Sequence, residues 1–114
     1  MKHRMLGNYL RAHRRKSGLS LREVAVLLGY TDEGQVSRHE RSETMPPLSV
    51  ALAYEAIFRT PISTLFPGTY LDVKEATERR LAELEKSLHQ RSAKDSGAGA
   101  VAHKLTWLKQ RREV

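Results

Sequence analysis

Gln35 and Arg38 stand three residues apart in a stretch whose one clearly core-facing member is Val36, so on a helix they project together while Val36 anchors it. A glutamine amide donates and accepts at once, which suits the N6 and N7 of adenine. An arginine fork matches the O6 and N7 of guanine, and a carboxylate such as that of Asp32 or Glu33 can accept from cytosine N4. The same side chains also suit an ordinary solvated helix surface when that helix is read alone. Other chemistries find less material. None of the histidines, His3, His13, His39, His89 and His103, has a carboxylate or cysteine beside it at the spacing of a metal site, and all read as surface residues. The chain has no cysteine, which excludes disulfide scaffolds, thiol catalysis and cysteine-based zinc sites. Gly97-Ala98-Gly99 lies in a small, polar stretch rather than ahead of a helix as a phosphate loop would. With no nucleophile–base pairing either, the expectation is a protein that is not an enzyme and carries no metal or cofactor.

For Gln35 and Arg38 to face a partner, the helix that carries them must be held by others. Leu6, Leu10 and the residues after them repeat at helical spacing up to Ser17-Gly18, which predicts a first helix over about Met5–Lys16 with Gly18 as terminator. Ser20 followed by Glu23 has the spacing of a capping box. Leu21, Val24, Ala25, Leu27 and Leu28 then form an apolar face that stops at Gly29. A short polar helix follows from Thr31 or Asp32 to Arg41, and Met45-Pro46-Pro47 is a rigid connection. The most apolar stretch, Leu48–Arg59, is expected to be the buried centre, and 61–66 form a short fifth helix that Pro67-Gly68 break. Beyond it lies a charged helix from Asp72 to about Arg91 with a stripe of Leu81, Leu84 and Leu88. A small-residue linker over 92–100 leads to VAHKLTWLKQRREV, which could form a last amphipathic helix or stay disordered. No stretch alternates convincingly enough for a strand.

The balance of charge points the same way. The chain of 114 residues carries a net charge of +7, and residues 1–41 hold nine basic against four acidic residues. Residues 42–92 are close to neutral and 93–114 carry +3. A basic N-terminal third is where a phosphate-facing surface is expected. The N-terminus lacks the apolar core of a signal peptide and no stretch is long and apolar enough to span a bilayer, so a soluble, cytoplasmic protein with no membrane partner is expected.

An ordered set of residues then carries a family resemblance. Leu10-Arg11, Arg14, Gly18-Leu19-Ser20, Glu23-Val24-Ala25, Leu28-Gly29, Val36-Ser37-Arg38, Glu40, Pro47-Leu48 and Ile62-Ser63-Thr64-Leu65-Phe66 together resemble the Xre family, the Cro/repressor-type helix-turn-helix regulators, over residues 6–66. The resemblance implies an all-α fold, a five-helix Cro/repressor-like bundle with a C-terminal helical extension. Domains are placed at 1–68 for DNA binding, 69–92 for the charged amphipathic helix, and 93–114 for a flexible linker and basic tail. It puts Glu33, Gly34, Gln35 and Arg38 where similar recognition helices meet bases. Ser37 and Arg41 become phosphate contacts, and Arg14 with Glu40 a structural ion pair. Leu21 stands where the family usually carries a phosphate-fixing glutamine, a task that Arg22 can take over. His39 replaces an apolar or aromatic residue, and Ser42 a common glycine.

The resulting expectation is a sequence-specific transcriptional regulator, a repressor by occlusion, that reads double-stranded DNA with the helix 32–41 and acts as a homodimer on two half-sites. The leucine stripe either packs on its own chain, the favoured reading, or pairs two subunits. A rival reading is a protein-interaction module, such as an antitoxin-type protein that holds its partner through residues 72–114. Sequence-independent binding of RNA or coating of the nucleoid ranks last, because no aromatic platform for single strands is present.

Overall fold

The computed structural model describes residues 7–94 and 99–114. Seven helices follow one another in these residues and no strand is among them: α1 Leu10–Ser17, α2 Leu21–Leu28, α3 Gly34–Glu40, α4 Leu48–Phe58, α5 Ile62–Leu65, α6 Pro67–Lys94 and α7 Gly99–Arg112. The chain divides into two compact units, Met1–Asp72 and Val73–Val114.

In the first unit the helix ends follow local chemistry. Ser20 accepts from the Glu23 N–H at 3.0 Å while the Glu23 carboxylate accepts from the Ser20 N–H at 2.8 Å, so two of the orphan donors that open α2 are satisfied reciprocally. At the other end Gly29 adopts φ 86°, and the N–H groups of Gly29 and Tyr30 close back onto Val26 and Ala25. This left-handed cap reverses the chain within one residue, and only glycine takes it at little cost. Its brevity sets the tight turn from α2 toward α3. Asn8 accounts for the late start of α1. Its side chain accepts from the Leu10 N–H at 3.0 Å, and residues 7–9 are not helical, so α1 begins at Leu10 rather than near Met5. Residues 5 and 6 lie outside the described residues.

Other boundaries also differ from the sequence expectation. α3 begins at Gly34 because the Asp32 carboxylate accepts from the Gly34 N–H at 2.7 Å and holds residues 31–33 in a turn. α5 stops at Leu65, ahead of Pro67-Gly68 as expected, but the same pair also opens a new helix. Phe66 O accepts the first helical bond from Tyr70, and Pro67 sits where a missing N–H costs nothing. The charged helix therefore starts five residues earlier than Asp72 and runs 28 residues. α4 is less central than its composition implies: Ala51 and Tyr54 are buried, while Leu48 and Leu52 face outward.

The core of the first unit gathers Leu10, Val24, Ala25, Val36, Tyr54, Leu65 and Phe66, with Leu19, Leu21, Leu28, Tyr30, Val50, Phe58 and Ile62 packed around them. α2 packs on α3 and α4, α1 on the same two helices, and α5 on α4. Every helix contributes only a narrow inward stripe, so each buried side chain matters.

The second unit is a pair of helices, the later part of α6 and α7. Leu88, Val101 and Leu108 are buried between them, with Leu81 and Leu105 packed alongside. Arg111 pairs with Glu78 at 2.6 Å, and Arg112 pairs with Glu85. Two of the three stripe leucines, Leu81 and Leu88, thus pack on the chain's own C-terminal segment, whereas Leu84 stays half exposed. The segment expected as linker and basic tail holds α7 over Gly99–Arg112, and Ser92 and Ala93 belong to α6; of the linker, residues 95–98 lie outside the described residues.

Leu65 is fully buried at the meeting of α4, α5 and the N-terminal end of α1, where its carbonyl also accepts from the Tyr9 N–H at 2.9 Å. Leu65→Ala is expected to lower the stability of the first unit by about 2–5 kcal/mol, read as a lower urea midpoint with an unchanged slope.

Candidate nucleic-acid interface

α3 has seven residues, and three of them are used to hold it in place. Val36 is fully buried against the core. His39, expected on the surface, is 2% exposed: its Nδ1 lies 2.9 Å from the Tyr54 hydroxyl of α4, and its ring meets Tyr54 edge-on. The position at which the resemblance implies an apolar or aromatic residue is thus an interior one in this chain, and here a buried polar pair fills it. Burial, and then the positive charge of Arg38, hold the His39 pKa below its ordinary value. Burial, followed by the charges of Glu40 and Tyr30, pushes the Tyr54 phenol well above its usual range.

The third anchor is Glu40. Arg14 of α1 approaches its carboxylate with Nε at 2.5 Å and Nη2 at 3.1 Å, while Nη1 donates to Leu19 O at 3.2 Å. One planar guanidinium therefore ties together α1, the residue ahead of the α2 cap, and the end of α3. The hydrogen bond to Glu40 raises the Arg14 pKa, with burial opposing and the Glu40 charge adding. The side chains retain 14% and 6% of their exposure, so the pair is shielded without being sealed from water.

Asn8 is a fourth fastening, which the sequence reading missed. Its Nδ2 donates to His39 O at 2.9 Å and to Ser42 Oγ at 3.2 Å. Behind it α3 ends in the two-bond reversal already seen in α2. Ser42, at φ 59°, donates to His39 O and Glu43 donates to Arg38 O. An asparagine before an apolar helix start reads as an N-terminal signal, and nothing in its spacing announces a contact 31 residues away.

The remaining positions of α3 face outward. Glu33 is exposed at the N-cap, and Gly34, Gln35, Ser37 and Arg38 are half-buried. A Cβ on Gly34 would fall 2.9 Å from the Asp32 carboxylate and 3.5 Å from Arg38 Nη1, so the glycine admits both groups to the start of the helix. Arg41 reaches back to the Ser37 hydroxyl and pairs with Glu43 at 2.7 Å, which raises the Arg41 pKa and lowers that of Glu43. Ser37 and Arg41 line a cleft of about 250 Å³ with Arg11, Arg14, Leu21 and Glu40. Arg22 lies apart from this cleft, exposed beside Leu19, Glu23, Val26 and Leu27. Arg11 occupies the cleft instead, a residue whose type and spacing alone announce no role. The cleft holds three arginines against Glu40, and among the described residues no group of three histidine or acidic side chains is placed to hold a metal.

Removing one member of the Arg14–Glu40 pair leaves the other shielded and uncompensated. Glu40→Ala is expected to cost about 3 kcal/mol, whereas the double variant Arg14→Met with Glu40→Leu should lose much less, as a double-mutant cycle in urea would report. His39 gives the fold an acid limit. The unfolded histidine takes up its proton near pH 6.5 and the folded one only below that, so stability is whole above about 6.5 and falls as the pH drops from there. The urea midpoint should decline from about pH 7 to 5 in the native chain and less steeply in His39→Phe.

Comparison with known proteins gives this surface a context. The helix-turn-helix domain family matches residues 5–63, just over half of the chain. A protein of Thermococcus gammatolerans named "Putative HTH-type transcriptional regulatory protein" is 36% identical over 101 residues, which covers 86% of this chain and 31% of that protein. The chain thus spans about a third of the length of the curated relative it matches. No solved structure matches it. The family match takes in the α2–turn–α3 unit and the helices that brace it, and the chain belongs to the helix-turn-helix domain family.

Proposed function

We propose that this chain is a sequence-specific double-stranded DNA-binding transcriptional regulator of the Cro/repressor type, with α3 as the element that enters the major groove. The observation that carries the reading is the division of labour on α3. Val36, His39 and Glu40 fasten it from inside, while Gln35 and Arg38 lie on its outer side, one turn apart. A helix of seven residues is roughly 10 Å long, which suits the major groove, about 12 Å wide. The N-terminal residues of such a helix are those that reach base edges. Gln35 would then pair with adenine and Arg38 with guanine, with Glu33 and Gly34 at the flank. Arg11, Ser37 and Arg41 in the basic cleft, and Arg22 at the start of α2, would hold phosphates. Occlusion of polymerase makes repression the natural outcome, and two copies on a palindrome would double the bases read.

Fluorescence anisotropy of the full chain against a randomised duplex library tests this. A palindromic site bound about 10³-fold more tightly than competitor DNA is expected. Gln35→Ala and Arg38→Ala should each cost about 1–3 kcal/mol and relax preference at one position. Weak, salt-sensitive binding without sequence preference would overturn the groove-reading role. Arg41 offers a finer test. Glu43 now neutralises it, so Glu43→Gln should tighten DNA binding and steepen its dependence on salt by about one unit of log slope.

A further inference from the structure

The second unit carries a surface that DNA reading does not use. Between α6 and α7 lies a groove of about 300 Å³, lined by Leu84, Leu88, His103, Lys104, Trp107 and Leu108. Leu88 and Leu108 form its buried floor, while Leu84 and Trp107 stand at its lips, 46% and 55% exposed. A half-exposed tryptophan across a groove from a half-exposed leucine is apolar surface left over after the two helices have packed on each other. The ionisable side chains that line it are basic. Lys104 and His103 lie on the rim, and Arg80 and Arg91 share the face of Leu84 by helical spacing. Among the described residues no ion pair engages Lys104, Arg80 or Arg91. Glu78 and Glu85 are instead occupied by Arg111 and Arg112, and Glu85 lines a different face, beside Ala82 and His89.

We propose that this groove docks an acidic amphipathic helix of a partner protein, its apolar stripe seated between Leu84 and Trp107 and its flanking carboxylates on Lys104, Arg80 and Arg91. An amphipathic helix laid in an apolar groove is a common recognition mode, and the rim decides which helix is admitted. A second copy of this chain, paired face to face, would set the same basic side chains against one another. The proposal stands independently of the DNA-binding reading, because none of its residues belongs to α1–α5.

Trp107 is the single tryptophan of the chain, so its emission reports the groove directly. The probe is a synthetic helical peptide with leucines at i, i+3, i+4 and i+7 and glutamates on both flanks, compared with its lysine-flanked counterpart. The acidic peptide is expected to shift Trp107 emission of the full chain to the blue, saturably and less so at high salt. Leu84→Ala, at an exposed position, should weaken that binding about tenfold or more with the helical circular dichroism unchanged. Lys104→Glu should weaken the acidic peptide and favour the lysine-flanked one. A blue shift that grows with protein concentration alone would assign the groove to a second copy. A shift on adding duplex DNA without peptide would assign it to nucleic acid, and equal response to both peptides, or to neither, would remove the charge-selected partner. Each of these three results overturns the proposal.

Discussion

The guanidinium of Arg14 lies at the junction of three elements, bonded to the Glu40 carboxylate through two nitrogens and to Leu19 O through the third. Without that junction α3 would rest on a single valine, the buried His39–Tyr54 contact and the bonds that Asn8 and Asp32 make at its ends, which is little for a helix of seven residues. A helix this short has almost no stability of its own, since the cost of its first turn is barely recovered by the turns that follow. Its position must come from tertiary fastening. The fold supplies that fastening at both ends, with Asp32 and Gly34 at the start and Asn8, Glu40 and the reversal at Ser42 at the finish. Arg14 is also placed so that its planar fork can make all its bonds at once, which a lysine could not do.

The capped ends of α2 were legible in the sequence because they depend on contacts within five residues. Ser20, Glu23 and Gly29 carry their own geometry wherever they occur together. The role of Val36 was legible for a related reason, since an isolated apolar residue on a polar helix has one plausible destination. His39 was not, because a histidine becomes interior only when a partner such as Tyr54, 15 residues on, accepts or donates its bond. Composition cannot state that pairing. Asn8 failed in the same way: its local bond to Leu10 is readable, its bonds to α3 are tertiary. Pro67-Gly68 read as a break because both residues interrupt helices from within, yet at a first turn proline loses nothing, and only the start of α6 distinguishes the two cases.

The two units differ in how they are held. The first unit closes a small core from five helices and leaves its polar groups bonded; among the described residues no buried side-chain nitrogen or oxygen lacks a partner. The second rests on five apolar residues and two exposed ion pairs, which contribute little in water. Its apolar contacts are consequently more modest and its remaining surface more available. The spacing of Leu81, Leu84 and Leu88 contained this outcome in part. A stripe of a single heptad covers one neighbour, and here α7 takes two of the three leucines and leaves the third at the edge.

On α3 the residues that fasten and the residues that face outward are different residues. Val36, His39 and Glu40 are committed to the interior, and Gly34 is held by the space that Asp32 and Arg38 occupy. Gln35 and Arg38 bear no comparable duty to the core. Descendants of this sequence can therefore exchange those two side chains, singly and through ordinary point changes, without passing through an unfolded ancestor. The scaffold is inherited as a whole while its outward face is free to drift, and a lineage built on it can vary that face faster than its architecture.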